Sequence, residues 1–427
     1  MRCSTIVNLL SILSFLTFFV CAESQGATTV IKAGYLLDIE SGSWQKNRLI
    51  FIEDERISSV QPEGSAIPAT ATIIDLSEQY VLPGFMDMHT HLMNPLDKNY
   101  YSRLFQSPHR AVIGGVVNAE KTLMAGFTVV RDVGSSDFMD VALRNAIDAG
   151  EVSGPRIAAS GPPLGITGGH CDDNSLNHSF KSKADGVADG PWGVRQMVRR
   201  NVKYGVDLIK FCATGGVFSK GTKVGMRQYT LEEMQAIVDE AHTHGKTVAA
   251  HAHGTEGIKY AIQAGVDSIE HASFLDKETI ALAKKMGTVF SMDIYNTEYT
   301  LSKGEENGVP EENINKEREV GTRQRESFSM AVKAGAKMVF GSDAAIYPHG
   351  DNANQFSRMV KFGMTPLQAI QAATINAAQL LKWENKVGSI EKGKYADIVA
   401  VGSDPLVDIS VLENVNFVMK GGVVYKQ

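Results

Sequence analysis

Hydrophobic positions change their period along this chain. Between residues 28 and 82, short apolar stretches alternate with polar positions and are broken by turn residues: TTVIKAGYLLDI, NRLIFIEDERISSV and TIIDLSEQYVLPG. A period of two belongs to strands with one buried face. The tail repeats the pattern in KYADIVAVGSD and NVNFVMKGGVVYKQ. Neither stretch is long enough to build a core alone. The economical solution is one small antiparallel sheet assembled from both termini, a split β-sandwich domain of residues 23–82 and 384–427.

Between them the rhythm becomes strand, then helix. Apolar, β-branched runs at about 81–88, 127–133, 156–160, 206–212, 246–251, 267–271, 287–292 and 337–342 read as strands. Helical spacing separates many of them, as in AVIGGVVNAEKTLMAG, VALRNAIDAG, VRQMVRRNVKYG, TLEEMQAIVDEAHTHG, GIKYAIQAG and KETIALAKKMG. Thr230 followed by Glu233 predicts a capping box, and glycine closes most of these helices. Eight such units with no GxGxxG phosphate loop predict an α/β fold, a (β/α)8 TIM barrel over residues 83–383 rather than an open doubly wound sheet. Two long connections, 163–193 and 295–321, leave the strands on one face and are expected to wall or cover a pocket.

The first 22 residues stand outside this scheme. Arg2 and an apolar run over residues 6–20 precede Val20-Cys21-Ala22, the pattern of a signal peptide cut after Ala22. The run is short for a membrane span and no second one follows. Cys21 raises lipid anchoring, but Phe19-Val20 matches such signals poorly. Export as a released periplasmic or secreted protein is therefore expected.

Composition excludes other classes. The formal net charge is −6 and the basic residues form no cluster, which argues against a nucleic-acid partner. Of four cysteines, Cys3 and Cys21 lie in the leader. Cys171 and Cys212 are too few for a disulfide framework and read as two partly buried free thiols, although an oxidising compartment would let them pair.

The chemistry lies at the strand ends. His89 and His91, in VLPGFMDMHTHL, point the same way on an extended segment and offer two nitrogens to one ion. Lys210, in VDLIKFCATGG, is expected to be largely desolvated at the end of its strand, which favours the free amine. A free amine takes up carbon dioxide to give a carbamate able to bridge two cations; the blander reading pairs this lysine with an acid. Either His251 or His253 of KTVAAHAHG, together with His271 of VDSIEHAS, completes a second ion's shell. Asp343 of KMVFGSDAA can touch a metal and shuttle a proton. Core or surface histidines are the bland reading of each position taken singly. Together the set reads as a two-metal hydrolytic site.

This arrangement resembles the amidohydrolase superfamily over nearly the whole chain, including the closing VGSIEKGKYADIVAV segment. TGGH (167–170), KFCATGG (210–216), AAHAHGTEGI (249–258) and ATINAA (373–378) are similar to one branch of it. That branch holds imidazolonepropionase-related, zinc-dependent dipeptidases of the Xaa-Pro (prolidase-like) and Xaa-Arg/Lys kind, and ochratoxin-type amidases. The resemblance implies a binuclear site of His89, His91, carboxylated Lys210, His251, His271 and Asp343. His251 is preferred over His253 as the first histidine of HAHG. Two divalent ions, zinc by resemblance, would activate water for attack on an amide carbonyl, with Asp343 and His271 as the catalytic pair and Asp343 passing the proton to the leaving amine. Substrate contacts would come from His170, Tyr229, His253 and Arg227. The implied partner is a small dipeptide or N-acyl amino acid, and the implied assembly a homo-oligomer. The alternatives are hydrolysis of a cyclic amide, as in imidazolonepropionase, or of a lactone. A non-catalytic binder would show degenerate ligand positions, and none is missing here.

Overall fold

The protein is described by a computed structural model covering residues 28–94 and 102–427; the leader expected over residues 1–22 lies outside them. The N-terminal alternation becomes β1 (Thr28–Asp38), β2 (Ser43–Glu53), β3 (Arg56–Pro62) and β4 (Thr72–Pro83). The central rhythm becomes β5 (Phe85–Thr90), β6 (Phe127–Asp132), β7 (Arg156–Ala159), β8 (Leu208–Cys212), β9 (Thr247–Ala252), β10 (Ser268–His271), β11 (Val289–Ser291) and β12 (Met338–Val339). The end of the chain adds β13 (Ile398–Val401), β14 (Phe417–Lys420) and β15 (Val423–Lys426).

Both termini do build one sheet, in the order β15-β14-β13-β4-β1-β2-β3. It is not purely antiparallel as expected, because β4 runs parallel to β1. After the β1–β2–β3 meander, residues 63–71 carry the chain back past β1, so β4 starts from the same end. Alternation then splits this sheet's apolar side chains between two cores. Ile398, Ala400, Phe417 and Met419 join Ile31, Ile50 and Leu76 in a cluster of the sheet's own. Val399, Val401, Val418 and Leu82 point the other way, into the main core. Each fully buried side chain of this size contributes about 1.5–3 kcal/mol, so the terminal sheet is fastened to the centre rather than merely tethered.

The central strands form two parallel sheets, β5-β6-β7 and β12-β11-β10-β9-β8. They meet at both edges. The Met88 amide donates to the Phe340 carbonyl at 2.8 Å, and Thr90 bridges Ala344. At the other seam the Asp207 amide donates to the Ala159 carbonyl at 2.8 Å, and Leu164 bridges Phe211. Parallel pairing puts the carboxyl ends of all these strands on one side. The helix Leu231–Thr243 opens on the Thr230/Glu233 capping box, and Gly265 (φ 97°) and Gly287 (φ 80°) end the helices Thr255–Ala264 and Lys277–Met286 in the left-handed conformation that glycine tolerates. No described helix is long and apolar enough to cross a membrane.

Two expectations are corrected. The connection 295–321 is not an irregular loop but the helix Asn296–Lys303 followed by the start of a long helix, Glu311–Lys333. Its buried apolar residues are sparse, chiefly Ile314, Val320 and Phe328, so its periodicity is faint in a strongly polar sequence. Cys171 and Cys212 are not free thiols but are joined in a disulfide, with Cα atoms 6.0 Å apart. The segment 163–193 folds back across the end of β8, a proximity that a cysteine count does not contain.

Candidate active site

Five of the histidines have Nδ1 within hydrogen-bond distance of a partner. His89 Nδ1 lies 3.1 Å from Glu270 Oε2, and His91 Nδ1 lies 3.2 Å from the Gly134 carbonyl. His271 Nδ1 lies 2.8 Å from Asp293 Oδ1, His253 Nδ1 2.7 Å from Ser273 Oγ, and His170 Nδ1 2.8 Å from Ser219 Oγ. Anchoring Nδ1 fixes the ring and leaves Nε2 free, the arrangement that orients metal-binding imidazoles. His251 differs, since neither of its ring nitrogens has a hydrogen-bond partner among the described residues and its Nε2 is buried.

The free atoms converge. His89 Nε2 and His91 Nε2 are each 3.4 Å from Asp343 Oδ1. Three overlapping groups have ligand atoms within 4.8 Å of one another: His89, His91 and Asp343; His251, His253 and His271; and His271, Asp293 and Asp343. Lys210 sits at the middle of β8 rather than its end, almost wholly buried, with no carboxylate at ion-pairing distance among the described residues. His271 (φ 70°) and Asp343 (φ 55°) both hold left-handed backbone, a conformation that costs of order 1–3 kcal/mol for a non-glycine residue and clusters at functional sites. A Cβ on Gly341 would come within 3.1 Å of His89 Cβ, so glycine lets the Asp343 segment close against the first histidine.

Burial sets the protonation of the set. It draws His91 and His170 down to about 3, and takes His89, His251 and His253 well below the ordinary imidazole value. These rings are neutral and can donate lone pairs. Burial also depresses His271, but the Asp293 and Asp343 carboxylates outweigh it and leave its pKa raised. Burial pushes the Asp343 carboxyl up to about 7, reinforced by Asp293, and draws the Lys210 ammonium down to about 8 against the pull of Glu270 and Asp343.

A cavity of about 840 Å³ opens above this cluster. His89, His91, Lys210, His251, His253, His271, Asp343 and His170 all line it. Tyr229 and Arg227, expected as substrate contacts, do not. Tyr229 is fully buried behind β8, its hydroxyl donating to the Ala188 carbonyl at 3.0 Å. Arg227 bonds the Tyr229 carbonyl at 2.9 Å, stacks over Tyr260 and reaches toward Glu256. Both connections expected as walls contribute, 163–193 through His170 to Asp185 and 295–321 through Asn296, Tyr299 and Glu317.

The sequence reading missed the supports. Glu270 Oε1 accepts from Arg131 Nη2 at 2.7 Å, and Arg131 Nε donates to the Met88 carbonyl at 2.6 Å. Asn296 Nδ2 donates to both Asp293 Oδ2 (2.7 Å) and Asp343 Oδ2 (3.0 Å), and Gln324 Nε2 to Asp293 Oδ1 (3.0 Å). A signal existed for two of them: Arg131 in FTVVRD and Glu270 in SIEH are charged residues within segments whose neighbours read as barrel strands.

The model of the amidohydrolase family matches residues 80–426. The chain belongs to that family. It is a hydrolase of amide or peptide C–N bonds. The ochratoxinase of Aspergillus niger is 31% identical over 432 residues, covering 95% of this chain and 88% of that protein. Among solved structures, a Xaa-Pro dipeptidase with methionine bound in its active site is 39% identical with a TM-score of 0.90, covering 94% of this chain and all of that one. A prolidase complexed with N-methylphosphonate-L-proline is 32% identical with a TM-score of 0.87, at the same coverage. Amidohydrolases generally use divalent metals, and the neutral imidazoles, the converging carboxylates and the unpartnered His251 nitrogen fit such ions.

Proposed function

We propose that this amidohydrolase is an exported two-metal enzyme that cleaves the amide bond joining an acyl group to an amino acid with a free carboxylate, in dipeptides or N-acyl amino acids. The observation that carries the reading is that His89, His91 and Asp343 as one group, and His251, His253 and His271 as another, bring their ligand atoms within 4.8 Å of one another, with buried Lys210 in the lining of the same cavity. The amino-acid ligands held by the two prolidase-type neighbours support a substrate ending in a carboxylate. The disulfide supports export, because such bonds persist in oxidising compartments. The paired seams support eight strands closing into a (β/α)8 barrel over residues 83–383, and the single sheet built from both termini supports a small β domain expected over 23–82 and 384–427. A homo-oligomer is part of the same proposal.

In this reading His89, His91, Lys210, His251, His271 and Asp343 hold two divalent ions, zinc being the expected metal. Bound there, they would supply Lewis acidity and lower the pKa of water. The Lys210 amine adds to carbon dioxide, forming an N–C bond and releasing one proton, and so becomes an anionic carbamate. Asn296 holds Asp343 through Oδ2, which leaves Oδ1 to take a proton from the attacking water and return it to the leaving nitrogen. His170 and His253, on the cavity wall, face the substrate.

A panel of dipeptides and N-acyl amino acids, run with metal analysis, added bicarbonate and Lys210→Ala as control, tests this. Turnover confined to substrates with a free carboxylate and lost in the variant supports it. Two equivalents of metal with no turnover of any member overturns it and points to lactones or cyclic amides.

A further inference from the structure

One wall of the cavity carries hydrogen-bond acceptors that no described residue uses. Glu317, on the long helix Glu311–Lys333, lines the cavity and is only 5% exposed. Its Oε1 accepts from the Thr297 hydroxyl, and Oε2 takes no hydrogen bond among the described residues. No described cation lies within ion-pairing distance of it, and burial pushes its carboxyl up to about 7. Asn296 and Thr300 also line the cavity, and their buried Oδ1 and Oγ1 have no hydrogen-bond partner among the described residues. A buried carboxyl with one neutral donor and no cation is costly to keep. Glutamine would satisfy Thr297 equally well, so the fold alone does not call for an acid here.

The wall is held firmly and close to the reacting groups. Asn296 Nδ2 ties it to Asp293 and Asp343. Gln324, two turns from Glu317 on the same helix face, bonds Asp293 Oδ1 at 3.0 Å. Gly321, between them, leaves room for the Thr297 side chain to pack against the long helix.

We propose that Glu317, Asn296 Oδ1 and Thr300 Oγ1 form a subsite for a substrate ammonium, and that this ammonium is the free α-amino group on the carbon next to the scissile carbonyl. The subsite adjoins Asp343 through Asn296, which is where a group so near the carbonyl must lie. A lysine side chain would place its charge much further away. The enzyme therefore acts on unblocked dipeptides in preference to N-acyl amino acids. This rests on the amide-hydrolase reading above and narrows its substrate class.

The test pairs each Ala-Xaa dipeptide with its propanoyl-Xaa analogue, which differs only in lacking the amine, for Xaa of Leu, Met, Pro, Phe and Lys. Wild-type protein and Glu317→Gln are compared, with bound metal measured in both to show that the variant is assembled. The expected result is a kcat/KM ratio favouring the free amine by about 10- to 100-fold, the worth of one hydrogen bond to a charged group, and collapse of that ratio in the variant. Equal rates within wild-type pairs, or a ratio unchanged by the substitution, overturns the ammonium subsite while leaving the hydrolase reading intact. If the variant instead loses only a preference for Lys over Leu among the propanoyl substrates, the α-amino assignment is wrong. Failure of every pair in metal-loaded wild-type protein sinks the function and the subsite together.

Discussion

His89 Nδ1 donates to Glu270 Oε2 at 3.1 Å, with both side chains fully buried, and Arg131 holds the other oxygen of the same carboxylate. Arg131 and His89 hold Glu270 charged although burial opposes it. The pair thus fixes the ring that faces Asp343 and cancels the charge of an arginine in the core.

Glu270→Gln should therefore damage two things at once. Leaving Arg131 without its counter-charge is expected to cost about 3–5 kcal/mol of stability. Loosening His89 should weaken metal retention by roughly 10–100-fold. Thermal denaturation and a chelator competition read these separately, and an unchanged metal affinity would contradict the anchoring role.

Asp343→Asn keeps the Asn296 neighbourhood but removes the proton carrier. A loss of about 10²–10⁴ in kcat is expected, with a smaller change in bound metal. Steady-state kinetics beside metal analysis decides it: loss of metal in proportion to activity would mean the carboxylate acts only as a ligand.

Tyr229→Phe removes the hydroxyl bonded to the Ala188 carbonyl, behind the cavity wall. Stability should fall by about 1 kcal/mol while KM stays within error of wild type. A large rise in KM for substrates with a free carboxylate would restore the contact that the fold denies.

Breaking the Cys171–Cys212 bond frees a loop closed over 41 residues. The chain-entropy estimate for a loop of that size is about 4 kcal/mol. Cys171→Ser should lower the melting temperature, and reductant should lower it in wild type but not in the variant.

Stability should also fall in acid through Glu240. Arg199 and Arg195 bond its carboxylate, joining the helices Gly190–Lys203 and Leu231–Thr243, and hold its pKa at about 2. A carboxylate depressed in the folded state stabilises above its unfolded value, near 4.3, and loses that contribution as pH falls from there toward 2. Wild-type melting temperature should drop faster than that of Glu240→Gln between pH 5 and 2. Parallel curves would show the ion pairs to be inert.

Much of the site was legible because it obeys local rules. A histidine two residues from another on an extended segment must share its side, and an apolar run ending in His or Asp marks the carboxyl end of a strand whatever surrounds it. Together with the family resemblance, which chose His251 over His253, that was enough to collect His89, His91, Lys210, His251, His271 and Asp343 from positions scattered over the chain, and the structure places all six in the lining of one cavity. Tyr229 rested on motif position and Arg227 on the match of a guanidinium to a carboxylate, and neither argument says which way a side chain packs; the structure places both outside the cavity lining.

What the sequence determined by itself is whatever depends on periods of two and 3.6: the strands, most helices, the capping box at Thr230, and the residue types fit to bind metal. Only the tertiary structure decided the parallel joining of β1 and β4, the Cys171–Cys212 bond, the buried Arg131–Glu270–His89 chain and the unpartnered acceptors around Glu317. Each joins groups remote in the chain or distinguishes the two sides of one helix. Their geometry is settled by how whole layers pack, which no local pattern encodes.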